Sequence, residues 1–150
     1  SPVVTLNSAD VTDEIRSERV SLASSKIAKY TSVRKKLITF QRKFSRGHGL
    51  IADGRDMGSV IFPSADLKIF LTASVKVRAN RRYKELIARG ENVSLRDLER
   101  RIALRDKGDR ERKVSPLIAG EGAIVIDASE KSVNEVKKEI IHYFDLIPSV

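Results

Sequence analysis

The chain has 150 residues, 41% of them hydrophobic and 33% charged, so it is long enough to bury the core of about one domain. It contains no cysteine, which excludes disulfides and thiolate metal sites, and no apolar run approaches the ~20 residues of a membrane span. The net charge of +9 favours an anionic partner, whether a phosphate ligand, nucleic acid or acidic lipid. No signal peptide or lipidation motif is visible, so we expect a soluble cytoplasmic protein.

The first third of the chain predicts a small hairpin and two helices. Short apolar–polar alternation places the hairpin strands near Val3–Leu6 and Asp10–Ile15. Residues 17–30 and 32–45 have helical spacing, and Ser32 is the expected N-cap of the second helix. That second helix carries an apolar stripe that we expect to be core, formed by Val33, Leu37, Phe40 and Phe44.

Three short, nearly continuous apolar runs predict buried strands. They are "GLIAD" at 49–53, "LKIFL" at 67–71 and "AIVID" at 123–127. Because helical patterns lie among them, the fold class is α/β with a parallel sheet. Open sheets usually hold about four to six strands, so three strands indicate an incomplete domain.

Helices are predicted wherever apolar residues recur every three or four positions in the rest of the chain, at 74–89, 94–113 and 132–144. Gly90 ends the first of these helices, and Ser94 caps the second. Ser132 and Glu135 form a capping box at the start of the third. The expected inward-facing residues are Ala79, Tyr83, Leu86, Val133, Val136, Ile140 and Phe144.

The hexapeptide "DGRDMG" directly follows the apolar run at 49–53, and ligands of open α/β sheets bind at the carboxyl ends of strands. Asp53 is placed to approach a metal ion or its waters, and Arg55 offers a planar fork for phosphate. Asp56 can accept hydrogen bonds from a base or a sugar. In the alternative interpretation, Asp-Gly makes a turn and Arg55 pairs with a neighbouring carboxylate.

A second candidate site lies in "RIALRDKGDRERKVSP", residues 101–116. One helix face changes from apolar to charged along the residues Leu95, Leu98, Ile102, Arg105, Asp109 and Arg112. Such a face leaves a core and enters a polar cleft, whereas an ordinary surface helix keeps its charges on the opposite side. Gly108 predicts a break or hinge, as in a lid. The alternative is a solvated helix with an Asp106–Arg110 pair.

The sequence resembles the bacterial cytidylate (CMP/dCMP) kinases of the nucleoside monophosphate kinase group. The resemblance covers essentially the whole chain, through "VTLNSADVTDEIR", "ASSKIAKYTSVRKKL", "LIADGRDMGSVIFPSADLKIFLTAS", "RANRRYKEL", "RDKGDRERKVSPL" and "AIVIDASEKSVNEV". It implies a P-loop kinase fold with a parallel sheet flanked by helices, a small N-terminal β piece and an arginine-rich lid. It further implies transfer of the γ-phosphoryl group of ATP to CMP or dCMP with Mg²⁺, by an enzyme that is a monomer when complete.

By position, the resemblance implies that the acceptor nucleotide contacts Ser25, Arg34, Arg55, Asp56, Asp109 and Arg112. Three of the charged residues would be catalytic, namely Arg105, Asp109 and Arg112. Arginines on ATP or the transferring phosphates would be Arg81, Arg105 and Arg110. Asp53 would support Mg²⁺ through water. Residues 1–16 would belong to the N-terminal β piece and residues 17–150 to the kinase core, with the lid at about 90–115. Gly108 stands where the family often has another arginine, so the lid would be looser.

The family also has a phosphate loop of the form G-x-x-x-x-G-K-[ST], and none of the eight glycines here belongs to such a pattern. Because the amides of that loop hold the β- and γ-phosphates, we expect residues 1–150 alone to transfer no measurable phosphate. Two alternatives remain from the sequence. A basic nucleic-acid-binding module fits the charge but lacks interleaved aromatics, and a non-catalytic interaction domain fits the missing loop.

Overall fold

The computed structural model describes residues 3–28, 30–45 and 49–148. The chain forms two compact units, residues 1–46 and residues 47–150. Within the described ranges, no helix has both the length and the apolar character needed to cross a membrane.

The first unit begins with the expected hairpin. Strands β1 (Thr5–Leu6) and β2 (Ala9–Asp10) are antiparallel, and the two residues between them both have positive φ, as in a type I′ turn. The second strand is shorter than predicted. After Asp10 the amide of Val11 still donates to the carbonyl of Val4, and the carboxylate of Asp10 accepts the amide of Thr12 in a local turn.

Two helices complete the first unit, α1 (Glu18–Ile27) and α2 (Thr31–Arg42), and a 3₁₀ turn follows at Lys43–Ser45. The prediction that Ser32 caps α2 is wrong, since the N-cap is Tyr30. Ser32 lies inside the first turn, whereas a capping side chain must precede the helical residues.

The apolar stripe of α2 is not core in this structure. Leu37, Phe40 and Phe44 are each about half exposed, and α2 buries no residue that the structure describes. Phe40 and Phe44 instead contact each other edge to face, with ring centroids 5.2 Å apart. A unit of this size has too little chain to cover the stripe from its own residues.

The second unit contains the parallel pair that the sequence predicts. Strand β3 (Ile69–Thr72) pairs with β4 (Ile124–Asp127), and Ile69 lies opposite Ile124. The predicted strand at 49–53 is wrong, because this segment is irregular and Ile51 is fully exposed. A strand needs a neighbour for its amides and carbonyls, and no described strand pairs with this segment.

The helices of the second unit agree closely with the sequence: α3 (Val75–Ala88), α4 (Leu95–Glu111) and α5 (Val133–Asp145). Each begins after a serine whose hydroxyl accepts an amide three residues on, and α5 has the expected capping box. Ala79 and Leu86 of α3 pack on Leu98 of α4, which forms the apolar core between these two helices.

Two helical expectations fail in the second unit. No break occurs at Gly108, and α4 continues through it to Glu111. The cost of a helical glycine, about 1 kcal/mol against alanine, is small beside the buried contacts that α4 makes on either side of this position. The α5 stripe is buried only in part, since Val133 is 84% exposed and Phe144 is also exposed.

Candidate functional site

The core-facing side of α4 changes from apolar to charged and stays buried. Leu98 and Ile102 pack in the apolar core, and two turns of helix later Asp106 and Asp109 are only 5% and 8% exposed. Of the charged residues on the face that the sequence predicted, Asp109 lies in these buried surroundings, whereas Arg105 is exposed. Carboxylates at such depth require compensating partners.

Arg55 is brought to these carboxylates from a distant part of the chain. Its guanidinium donates to Asp109 through Nη1, and its Nη2 lies 3.7 Å from Oδ1 of Asp106. The next residue, Asp56, is 8% exposed, and its carbonyl accepts the amides of Val60 and Ile61 at 2.9 and 3.1 Å. A π-helical turn at Met57–Ile61 thus fixes the chain directly after Arg55.

Arg112 approaches Asp109 from the end of α4. Its Nη1 donates to Oδ1 of Asp109 at 3.1 Å, and its Nε donates to the carbonyl of Ser115. Ser115 is buried with a φ of +51°, an unusual conformation for a residue that is not glycine. Arg105, one turn before Asp109, lies at the edge of the cluster with Nε 4.0 Å from Oδ2 of that residue.

Arg78 supplies a fourth guanidinium from α3. Its Nη2 donates to Oδ2 of Asp106 at 2.5 Å, and its Nε donates to the carbonyl of Ala73 at 2.9 Å. Ala73 directly follows β3. Arg78 therefore ties the end of a sheet strand to the buried carboxylate on α4.

The charges of this cluster do not balance. Guanidinium groups outnumber carboxylates here by four to three, counting Arg55, Arg78, Arg105 and Arg112 against the paired Asp106 and Asp109 and the buried Asp56 beside Arg55. Burial lowers the pKa of the Arg55 guanidinium, and repulsion from Arg105 lowers it further, while Asp106 acts in the opposite direction. A group of forked donors with excess positive charge is suited to a dianionic phosphate.

The other candidate residues stand apart from this cluster. Arg81 donates to the carbonyls of Ala128 and Lys131 at 2.6 and 3.5 Å, and so fixes the loop after β4. Arg110 is exposed on α4, and Asp53 is exposed in the irregular segment before Arg55. No cluster of His, Cys, Asp or Glu suited to a metal ion occurs among the residues with described positions.

Ser25 and Arg34 belong to the first unit. Ser25 is half-buried on α1, and Arg34 of α2 donates from Nη1 to the carbonyl of Ala28 at 3.2 Å. This contact holds the Arg34 side chain against the C-terminal end of α1. Their roles in nucleotide binding stay predictions.

Sequence reasoning missed Asp106, Arg78 and Ser115 as parts of the site. It suggested that Asp106 pairs with Arg110, whereas Asp106 pairs with Arg78 and Arg55. A signal was available for Asp106, because it follows Ile102 by four positions and so continues the buried face. No comparable signal marked Arg78 or Ser115.

Comparison with known proteins adds a family assignment. A family model described as cytidylate kinase matches residues 1–146. The chain is 46% identical over 138 residues to a cytidylate kinase of Nitrosococcus oceani, covering 92% of this chain and 61% of that protein. It is 50% identical over 128 residues to one of Methylococcus capsulatus (85% and 58%), and 47% identical over 140 residues to one of Colwellia psychrerythraea (93% and 62%).

The chain spans 58–65% of the length of the first three relatives it matches, including one of Polynucleobacter necessarius. Its parallel β3–β4 pair and surrounding helices agree with a P-loop kinase-type fold that is incomplete relative to those relatives. The length of the match and the identity over it leave one conclusion: the chain belongs to the cytidylate kinase family.

Proposed function

We propose that the whole protein transfers the γ-phosphoryl group of ATP to CMP or dCMP, giving CDP or dCDP. The observation that carries the proposal is the arginine cluster around Asp106 and Asp109, in which guanidinium groups outnumber carboxylates. Phosphoryl transfer requires the protein mainly to position two anions and to neutralise the charge that develops between them. The cytidylate kinase relatives support the choice of acceptor.

In this proposal, Arg55 and Arg112 grip the phosphate of the acceptor nucleotide. Both reach Asp109 in the structure, so their guanidinium groups already converge on one point. Asp109 completes this part of the acceptor site, and Asp56, directly after Arg55, accepts hydrogen bonds from the cytidine part of the nucleotide. Arg105, at the edge of the cluster, acts on the transferring phosphates.

Four further residues have roles that follow the family pattern. Ser25 and Arg34 contact the nucleoside monophosphate, Arg110 joins Arg105 as a lid arginine, and Arg81 acts near ATP. Arg81 is engaged with the loop after β4 in this structure, so its contribution is to hold that loop in position for ATP.

We also propose that the reaction uses Mg²⁺, with Asp53 as a water-mediated support. The Asp53 carboxylate is exposed, which suits an ion that keeps several of its waters and takes its other ligands from phosphates. Bound in this way, Mg²⁺ would neutralise charge on the ATP phosphates. The contribution of this chain is a single carboxylate that orients water.

Calorimetry on the whole protein tests the acceptor site, using CMP, dCMP, UMP and a single-stranded oligonucleotide. We expect CMP or dCMP to bind best. The matched pair of variants is Arg112→Ala and Arg100→Ala. Both remove an arginine of the α4 region, but Arg100 is exposed and pairs with Asp97 at 3.6 Å. Arg112→Ala should weaken CMP by about 10- to 100-fold and Arg100→Ala should leave it unchanged.

Two results would reject the proposal. Tighter binding of the oligonucleotide with a steep salt dependence would identify a nucleic-acid-binding module, and equal losses for the two arginine variants would remove the cluster from the site. Phosphoryl transfer itself is measured as CDP formation by the whole protein, whereas residues 1–150 alone, which contain no phosphate-loop pattern, should form no CDP.

A further inference from the structure

We infer that Asp106 is a positioning residue, which holds the Arg55 guanidinium in place for the phosphate of the acceptor nucleotide, with Arg78 as its brace. The inference rests on the proposed function, because Arg55 is taken there as a phosphate ligand. It assigns a role to two residues that the sequence did not mark as parts of the site.

The geometry gives Asp106 two different neighbours. Its Oδ2 accepts from Nη2 of Arg78 at 2.5 Å, and its Oδ1 lies 3.7 Å from Nη2 of Arg55. Arg78 is itself fixed, since its Nε donates to the carbonyl of Ala73 at the end of β3. The position of the Arg55 side chain is therefore linked to strand β3 through Asp106 and Arg78, in addition to its own segment of the chain.

A purely structural role for Asp106 is a poor explanation of its burial. The helices α3 and α4 already pack through Ala79, Leu86 and Leu98. Asp106 lies eight residues beyond Leu98, about 12 Å further along α4. Buried ion pairs contribute little net stability, and apolar residues of similar volume often hold such a position as well or better. A charged pair at this end of the helices is better explained by the arginine that it places.

A phosphate that binds the cluster would compete with Asp109 for its arginine partners to a greater extent than with Asp106. Asp109 faces Arg55, Arg112 and Arg105 at once, so a phosphate competes with it directly for those donors. The shorter contact of Asp106 is to Arg78, with the longer one to Arg55, so Asp106 can keep its brace while Arg55 turns toward the ligand. Asp106 limits how far Arg55 moves without occupying its donors.

Removing the charge of Asp106 should change the affinity for phosphate in opposite directions under the two explanations, positioning of Arg55 and a purely electrostatic effect. Removing the charge of Asp106 raises the net positive charge of the cluster by one unit, and this change in the electrostatic field alone would strengthen phosphate binding. Loss of positioning predicts the opposite, because a guanidinium that is no longer held must be ordered when the ligand binds.

The test compares Asp106→Asn with Asp97→Asn in the whole protein. Both remove a carboxylate charge from α4, but Asp97 is exposed and lies 3.6 Å from Arg100, away from the cluster. Affinities for CMP and for cytidine are measured by calorimetry. We expect Asp106→Asn to weaken CMP by about 10- to 100-fold and cytidine by less than about 2-fold, and Asp97→Asn to change neither.

A second variant tests the brace. Arg78→Lys keeps the charge but has a single ammonium group, which cannot reproduce both the contact to Ala73 and the contact to Asp106. It should weaken CMP in the same direction as Asp106→Asn, and Asp106→Glu, which keeps the carboxylate, should restore part of the affinity.

Two results would overturn the inference: CMP binding that is unchanged or tighter in Asp106→Asn, or equal losses for CMP and cytidine. NMR of the Arg55 guanidinium protons, without nucleotide, gives a separate answer. Their protection from exchange should fall in Asp106→Asn and persist in Asp97→Asn. If the unmodified whole protein binds no CMP, the proposed function fails, and unchanged protection of Arg55 in Asp106→Asn would still reject the positioning role.

Discussion

Gly120 is the position at which we expect one added methyl group to do the most damage. It lies between α4 and β4, against Gly58 in the π-helical turn that follows Asp56. A Cβ at residue 120 would lie 2.4 Å from the carbonyl oxygen of Gly58, 2.8 Å from its carbonyl carbon and 3.1 Å from the amide nitrogen of Ser59. All three are backbone atoms, so relief of the overlap requires movement of the main chain.

The size of the overlap sets the expected cost. The first of those distances is 0.6 Å shorter than 3.0 Å, below which real Cβ contacts essentially never occur. Overpacking of this kind costs about 1–3 kcal/mol, which lowers the melting temperature of a chain of this length by roughly 2–12 °C. We therefore expect Gly120→Ala to be destabilising, and to displace Asp56 through the π-helical turn.

Gly108→Ala is the matched control, because it adds the same methyl group with the opposite expected sign. A Cβ at Gly108 meets nothing within 4 Å, and its backbone is helical. Alanine there should raise the stability by up to ~1 kcal/mol. Thermal unfolding followed by far-ultraviolet circular dichroism measures both variants. A Gly120→Ala chain that melts at or above the temperature of the unmodified chain would refute the close contact with Gly58.

Further predictions concern the proposed nucleotide site. Asp56→Ala in the whole protein should weaken CMP more than ATP, since Asp56 is proposed to contact only the acceptor; equal losses in the two KM values would show that this residue is misplaced. Arg112→Ala should lower the turnover of the whole protein by about 10²–10³-fold, because a guanidinium that binds the phosphate is lost. Unchanged kinetics would mean that the ion pairs of α4 are only structural. CMP at about 100 times its Kd should stabilise the unmodified chain by ~2.7 kcal/mol, which raises its melting temperature by roughly 5–11 °C. Sodium chloride at equal ionic strength is the control, and an equal shift with the salt would mean that CMP acts only by screening.

The elements that the sequence predicted well are those whose signals lie within a few residues. Ser74, Ser94 and Ser132 each cap a helix through an amide three positions on, so the starts of α3, α4 and α5 depend on local chemistry alone. The pair of parallel strands was also found, because continuous apolar runs among helices indicate buried strands.

The failed predictions concern apolar segments. Hydrophobic periodicity shows which residues favour burial, but it does not show which part of the chain would cover them. Ile51 sits in an apolar run and is fully exposed, and Leu37 and Phe40 of α2 are about half exposed. Their spacing was consistent with a buried strand and a core helix face. The outcome depended on whether another part of the chain lay against them, which local periodicity does not contain.

The same distinction applies to the site. Arg55, Asp109 and Arg112 were recognised from motif and helix face, and the structure brings them together. The Arg78–Asp106 pair was not recognised, because it joins residues on two helices whose relative rotation is set by their packing. Spacing within α4 offered Arg110 as a partner for Asp106 in the alternative interpretation, whereas Asp106 pairs with Arg78.

The number of carboxylates in the cluster follows from two opposing requirements. Without Asp106 and Asp109, the four guanidinium groups would repel one another, and the ion pairs that join them would be lost. With four carboxylates the cluster would be neutral, and a phosphate would gain little over the internal partners it displaced. The carboxylates that are present assemble the arginines and still leave positive charge uncompensated, which is the condition for a site that is ordered before its ligand arrives and nevertheless attracts it.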